Sequence, residues 1–308
     1  VYLVRKVDTG EFFALKILDK AKFRAQKIVS KAHSEQFILK TTVHPFVVAL
    51  HYAFQATDCW ALVMEYCPNG NLLGEIVRRG NPGLPLPRVA QLGGEVLLAL
   101  EHLHALRVMF RDLKPENVVL DALFHAKLTD FGLAKKMHNA TEANTVCGSH
   151  GYVAPEILLP SKGYTLAVDV YSRRPRFGVV MYMLCSGGEQ SQRRPGVRTP
   201  PMRHASLGRR LREAAGASPA PRWALREEGA LELVRALTSE DPQARPSATA
   251  AKDLRFFVRH LGARGGVDAL LSEAAACCAP PEDKPAGPSD TGVARSRRDS
   301  TDQGSHAG

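Results

Sequence analysis

The sequence predicts an α+β chain, sheet-rich to about residue 67 and helical thereafter. Two observations predict it. Before Pro68-Asn69-Gly70 the apolar residues fall into short runs bounded by turn signals, one of them strictly alternating, as half-buried strands require. After that break they recur at steps of three and four, the spacing of an amphipathic helix. Hydrophobic residues make up 44% of the 308 and charged residues 23%, so a packed core is readily supplied.

Residues 1–7 and 11–18 read as strands joined by Asp8-Thr9-Gly10, a good hairpin turn. Alternation in the second strand places Phe13, Leu15 and Ile17 on one face and Ala14, Lys16 and Leu18 on the other. Residues 27–40 read as a helix on which Lys31, Glu35 and Leu39 share a face. Strands follow near 47–54 and 60–65. Residues 88–106 carry Val89, Leu92, Val96, Leu100 and Leu103 as one apolar stripe. Gly93-Gly94 inside it costs about 1 kcal/mol per glycine relative to alanine. Residues 117–120 and 126–129 form a short hairpin, 189–222 show no sustained period, and 228–237 and 248–261 are helical again. The last 46 residues, with Ala279-Pro280-Pro281 and Pro285, predict disorder.

Several function classes are disfavoured. The longest uncharged apolar run, 177–186, is far short of the ~20 residues of a membrane span. No signal peptide is visible, and the start at Val1 reads as a fragment or a truncated gene product. Six cysteines, at 59, 67, 147, 185, 277 and 278, form no C-x-x-C pair, which argues for a reducing compartment. A cytoplasmic location is expected. The net charge of +10 is concentrated in 173–222, where eleven Arg and no Lys face only Glu189 and Glu213. Its few aromatics, Phe177, Tyr182 and the adjacent Trp223, suit an exposed irregular loop better than a nucleic-acid groove.

The chemistry lies elsewhere. Phe110-Arg111-Asp112-Leu113-Lys114-Pro115-Glu116-Asn117 is followed thirteen residues after Asn117 by Asp130-Phe131-Gly132, and later by Ala154-Pro155-Glu156. Phosphoryl transfer needs such residues. Mg²⁺ takes hard oxygen ligands, which Asn117 and Asp130 supply. A carboxylate, Asp112, orients the acceptor hydroxyl and takes its proton. A fixed cation, Lys16, holds phosphates if Glu35, nineteen residues on, anchors it.

These motifs, in this order, resemble a eukaryotic protein kinase domain. Within kinases the chain is similar to the AGC group of serine/threonine kinases through His44-Pro45-Phe46-Val47-Val48, His51-Tyr52-Ala53-Phe54 and Thr145-Val146-Cys147-Gly148-Ser149. The match runs from Val1 to about Gly187 and resumes weakly over 223–257. The resemblance implies a bilobal fold: a small sheet-rich N-lobe over 1–67, a larger helical C-lobe over 68–262 with the irregular stretch 173–222, and a disordered tail over 263–308. It implies ATP and Mg²⁺ as cofactors and protein Ser or Thr as acceptor. Asp112, Lys114 and Asn117 become catalytic, Lys114 steadying the transferred phosphate, and Asn117 and Asp130 hold metal. Lys16 and Glu35 fix the nucleotide. Met64 becomes the gatekeeper, the Glu65 carbonyl and Cys67 N–H meet adenine, and Val1, Ala14 and Val119 sandwich the purine. Leu39, Leu50, Phe110 and Phe131 stack between the lobes, and Asp169 holds the catalytic loop. Glu156 and Arg245 pair within the large lobe. Thr145 becomes the activation-loop phosphosite for an upstream kinase, its pocket built from Arg111, Lys135 and Lys31, with Thr141 as a competing hydroxyl. Of the acidic residues that read substrate arginines Glu116 is kept, while Asn71 and Met183 replace the others, so only a mild preference for upstream Arg is expected.

The pattern also departs from the family. The Gly-rich loop would end one residue before Val1. Arg173-Arg174-Pro175-Arg176 interrupts what should be one buried helix, where Pro costs roughly 3 kcal/mol. The segment 189–222 lacks the family's substrate-docking helix, and no Phe-x-x-Phe closes the tail. Translated intron and real divergence both account for this. Arg297-Arg298-Asp299-Ser300 makes Ser300 a candidate phosphoacceptor. A rival reading is a catalytically impaired kinase-fold scaffold, although a scaffold has no need of Lys16, Asp112, Asn117 and Asp130 together.

Overall fold

The chain is described here by a computed structural model over residues 1–25, 29–80, 83–137, 166, 169, 177–187, 227–239 and 243–278. Strand β1 (Tyr2–Arg5) turns at Gly10, φ +73°, into β2 (Phe12–Asp19). The Asp8 carboxylate closes that turn by accepting the Thr9 N–H. Asp19 then caps an unpredicted helix α1 (Lys20–Ala25), accepting the N–H groups of Ala21 and Lys22 at 2.8 and 3.1 Å. Helix α2 (Val29–Thr41) buries Ala32, Glu35, Ile38 and Leu39, positions that share one helical face. Strands β3 (Leu50–Gln55) and β4 (Cys59–Glu65) complete an antiparallel sheet of order β1-β2-β4-β3. Its register sets Lys16 against Leu62 and Ala14 against Met64. The expected strand at 47–54 is shorter than predicted because Val47 and Val48 leave the sheet and bridge to Leu128 instead.

The segment after the Pro68-Asn69-Gly70 break is itself helical. Helix α3 (Leu72–Arg79) is capped by Asn71, whose side chain accepts the Gly74 N–H at 3.0 Å, and stops at Gly80, φ +64°. Helix α4 (Leu86–Ala105) buries the whole predicted stripe. Strand β5 (Val108–Met109) and the 3₁₀ turn Pro115–Asn117 lead to the hairpin β6 (Val118–Leu120) and β7 (Ala126–Leu128). A second 3₁₀ turn, Phe131–Leu133, precedes β8 (Lys135–Lys136), which pairs with β5. Glu95, fully buried on α4, accepts the Ala126 N–H at 2.7 Å and contacts His125 Nδ1 at 2.7 Å, fixing the hairpin to the helix.

Helix α5 (Phe177–Ser186) is the uncharged apolar run, buried against α4 rather than in lipid. No helix among the described residues is long and apolar enough to cross a membrane. The two glycines of α4 have packing reasons. A Cβ on Gly93 would stand 2.6 Å from Met181 Sδ of α5, and one on Gly94 would stand 2.8 Å from Leu270 Cδ1. Helix α6 (Glu228–Leu237) agrees with its prediction. The expected helix at 248–261 divides into α7 (Ala248–Ala251) and α8 (Arg255–Leu261), because Leu254 is extended and rephases the chain so that Phe256 and Phe257 are both buried.

The expectation of disorder from residue 263 onward is corrected over Ala269–Cys278, which forms helix α9. Its Leu270 and Ala274, with Val267 before it, are buried on the Gly94 side of α4. An Ala-rich segment with an i, i+3, i+7 apolar pattern is locally helical; averaged with the Pro-rich residues after it, that signal disappears. The Arg173–Arg176 interruption, the whole 189–222 stretch, Glu156 and Ser300 lie outside the described residues.

Candidate active site

Strand β2 presents Ala14 and Lys16 to one side of the sheet, as its alternation predicts. Lys16 Nζ lies 2.6 Å from Glu35 Oε1 and 2.8 Å from Asp130 Oδ1. Burial works against the Lys16 charge, but the two carboxylates outweigh it and raise its pKa. Burial dominates at Glu35, 2% exposed, and holds its carboxyl above the ordinary range despite Lys16. At Asp130 burial is outweighed by Lys16, which draws the carboxyl below that range. The triad carries a formal net charge of −1 when all three are ionised.

Asp130 sits at φ +63° and caps the turn Phe131–Leu133, accepting the Gly132 N–H. This left-handed backbone is uncommon for a non-glycine residue and is held by the packing beneath it. Phe131 and Phe110, both buried, meet edge to face with centroids 5.1 Å apart. Leu39 is buried and Leu50 half-buried in the same apolar core.

The loop 110–117 hangs on Asp169. This fully buried carboxylate accepts the N–H groups of Phe110 and Arg111 at 2.9 and 2.8 Å and contacts His104 Nε2 at 3.0 Å. Arg111 takes φ +65° and donates through Nε to the Leu133 carbonyl, tying this loop to the Asp130 turn. Asn117 Nδ2 donates to the Asp112 carbonyl at 2.8 Å and to its carboxylate at 2.9 Å. Lys114 Nζ lies 2.7 Å from Asp112 Oδ2. With its amide nitrogen so engaged, Asn117 keeps its carbonyl oxygen for a cation.

A cavity of about 350 Å³ opens between these groups. Val1, Ala14, Met64, Glu65, Cys67 and Val119 line it together with Lys16, Asn117 and Asp130. Val1 stands at the exposed rim and Met64 is buried. Burial, aided by Glu65, pushes the Cys67 thiol up to about 12, so it stays protonated and acts as a small apolar wall. Glu35 stands behind Lys16. Asp112 and Lys114 are not among the lining groups and join them through Asn117. Thr145 lies outside the described residues, as does the Lys31 side chain of its expected pocket. Sequence reasoning missed Val48 and Thr129, which also line the cavity; Thr129 could have been found as the residue directly before Asp130. It also missed Lys127, whose Nζ lies 2.5 Å from Glu65 Oε1 and ties β7 to the end of β4. The hard oxygens of Asp130 and Asn117 suit Mg²⁺, and the apolar walls suit a planar base.

A model of the protein kinase domain family matches residues 1–257. The chain is 39% identical over 187 residues to "Protein kinase 2" of Dictyostelium discoideum, covering 61% of this chain and 38% of that protein. It is 41% identical over 187 residues to the RAC-beta serine/threonine-protein kinase of Rattus norvegicus, covering 60% and 37%. It is 40% identical over 194 residues to the ribosomal protein S6 kinase beta of Caenorhabditis elegans, covering 61% and 34%. The chain therefore spans well under half the length of these relatives.

Proposed function

This chain belongs to the protein kinase family, with AGC-type serine/threonine kinases among its relatives, and from that premise we propose that it transfers the ATP γ-phosphate to Ser or Thr hydroxyls of protein substrates. The observation that carries the reading is Lys16 held between Glu35 and Asp130 at 2.6 and 2.8 Å, with Asn117 in the same cavity wall bound to Asp112 behind it. When bound, Mg·ATP supplies the transferable phosphoryl group and divalent charge to offset the phosphates. Asp130 and Asn117 hold the metal, and their oxygen donors together with the net negative triad fit it. Lys16, anchored by Glu35, holds phosphate oxygens. Val1, Ala14 and Val119 enclose the base, Met64 closes the back, and Glu65 and Cys67 offer their backbone groups at its edge. Asp112 orients the acceptor hydroxyl and takes its proton as that oxygen bonds phosphorus and the bond to the departing ADP breaks. Lys114 neutralises charge on the phosphoryl oxygens in flight.

The same reading makes 1–67 the N-lobe and 68–262 the C-lobe, Thr145 a phosphosite for an upstream kinase, and Glu116 a contact giving mild preference for upstream Arg in substrates. It places the protein in the cytoplasm, away from membranes and nucleic acid. Calorimetry of Mg·ADP binding tests the nucleotide half. Binding that requires Mg²⁺ and weakens at least tenfold in Lys16→Met and Asp130→Asn supports it, and equal affinity in all three proteins overturns it.

A further inference from the structure

Strand β7 is buried along its length, yet its middle residue is a lysine. Lys127 is 7% exposed and stands between the fully buried Ala126 and Leu128. A buried ammonium needs a partner. Its Nζ lies 2.5 Å from Glu65 Oε1 and 3.9 Å from Asp121 Oδ2. Burial works against the charge, but Glu65 and then Asp121 outweigh it and raise the pKa, so Lys127 stays charged near pH 7. Asp121 also closes the hairpin turn, where its Oδ1 accepts the N–H groups of Leu123 and His125 at 2.9 and 2.8 Å. Glu65 is the nearer partner.

Glu65 is held from a second side. Its N–H donates to the Ala49 carbonyl at 2.9 Å, and its Oε2 accepts the Ala49 N–H at 3.3 Å. Further along, the chain meets the same hairpin again. There the Asn69 N–H donates to the Leu120 carbonyl at 3.2 Å, and the Leu120 N–H to the Gly70 carbonyl at 2.8 Å. Segment 65–70 is thus clamped at both ends to hairpin β6–β7. The far clamp needs no charge, whereas the near one is Lys127. Glu65 and Cys67 line the nucleotide cavity, and Lys127 is not among its lining groups. Stability alone gives no reason for such a pair, since apolar side chains of similar volume would join the strands as well. What the pair does is direct Glu65.

We propose that Lys127 is a positioning residue for nucleotide recognition. Through Glu65 it sets the backbone of 65–67 where the Glu65 carbonyl and the Cys67 N–H read the edge of adenine. The inference rests on the kinase reading. The carbonyl accepts from the exocyclic amine of adenine, and the N–H donates to its ring nitrogen. A base that presents a carbonyl and a ring N–H instead leaves both groups unpaired and is refused. Lys127 therefore governs which base binds, not the phosphate contacts of Lys16.

Calorimetry of the full chain compares Mg·ADP with Mg·IDP, which carries hypoxanthine on the same phosphates and is followed by competition. Lys127→Met and Glu65→Gln should each weaken Mg·ADP about tenfold and Mg·IDP less than about twofold, so selectivity falls roughly fivefold or more. The double variant should be no worse than either single one, because both remove one contact. A merely structural loss would weaken both nucleotides alike. In the unliganded chain, amide exchange at Ala49 and Glu65 should be about tenfold faster in Lys127→Met, with Leu120 unchanged. If Lys127→Met fails to fold, Glu65→Gln removes the same contact at a side chain that is 24% exposed. Equal loss for the two nucleotides, unchanged Mg·ADP affinity, additive losses in the double variant, or unchanged exchange at Ala49 and Glu65 overturns the proposal and leaves the kinase reading standing. A wild type that binds Mg·IDP as tightly as Mg·ADP also overturns it. A wild type that binds neither nucleotide overturns both.

Discussion

Lys16→Met removes the only cation within hydrogen-bonding distance of Glu35 and Asp130 that the described residues provide. The two carboxylates then face each other, and their burial differs: the Glu35 side chain is 2% exposed, Asp130 49%. Water solvates Asp130, so the penalty falls on Glu35. Stripping a buried charge of its partner costs about 3–5 kcal/mol, a large part of a typical domain's stability. Glu35 escapes the penalty by binding a proton, since burial already holds its carboxyl above the ordinary 4.5 in the presence of Lys16. A raised carboxyl means that the folded state binds more protons than the unfolded one. Stability therefore falls as pH rises from about 4.5 through the folded value. The variant should lose about 1 kcal/mol near pH 5, the residue of lost hydrogen bonds, and about 3–5 kcal/mol at pH 8. Urea denaturation of wild type and variant across that range measures the difference. Adding Glu35→Gln should flatten the slope. A penalty that is constant from pH 5 to 8, or that survives Glu35→Gln unchanged, would refute the reasoning.

Asp169→Ala leaves two buried N–H groups, of Phe110 and Arg111, without their acceptor, which costs about 3–5 kcal/mol in denaturation and shifts the amide resonances of loop 110–117; a loss under 1 kcal/mol contradicts it. Gly187→Ala puts a Cβ at φ +78° against the Gly80 carbonyl oxygen, and backbone meeting backbone should cost about 3 kcal/mol or more in the same assay. Imidazole NMR should find His44 titrating near 4, because of burial and His102, and His125 above 6.5, because of its hydrogen bond to Glu95. The two then act oppositely on stability. His44 favours the fold above about 6.5 and loses that contribution as pH falls toward 4; His125 favours it below about 6.5 and loses it as pH rises through its folded value. A His44 midpoint at 6.5 would count against the buried imidazole.

The polar residues in and beside the cavity stood out in the sequence because they sit in motifs with fixed spacing, the apolar walls came only from the family resemblance, and Val48 and Thr129 were missed. Strand alternation put Lys16 on the inner face, its distance from Lys16 singled out Glu35, and the run from Phe110 to Gly132 singled out Asp112, Asn117 and Asp130. Asp169, far along the chain, came only from the family resemblance. The misses share a different cause. Helices α1 and α3 are too short for periodicity to register, and only their caps, Asp19 and Asn71, announce them. Val47 and Val48 have strand composition, yet a tertiary bridge to Leu128 takes them out of the sheet. Helix α9 was lost in the average composition of the tail.

Phosphate transfer itself is the most direct test. The full chain is incubated with Mg·[γ-³²P]ATP and a peptide carrying one Ser downstream of Arg, beside Asp112→Asn. The account predicts labelling of that Ser by the wild type and a kcat lower by about 10² or more in the variant, because Asp112 takes the hydroxyl proton. A wild type that binds Mg·ADP and labels nothing, or equal labelling by both proteins, would contradict it and make the chain a kinase-fold scaffold.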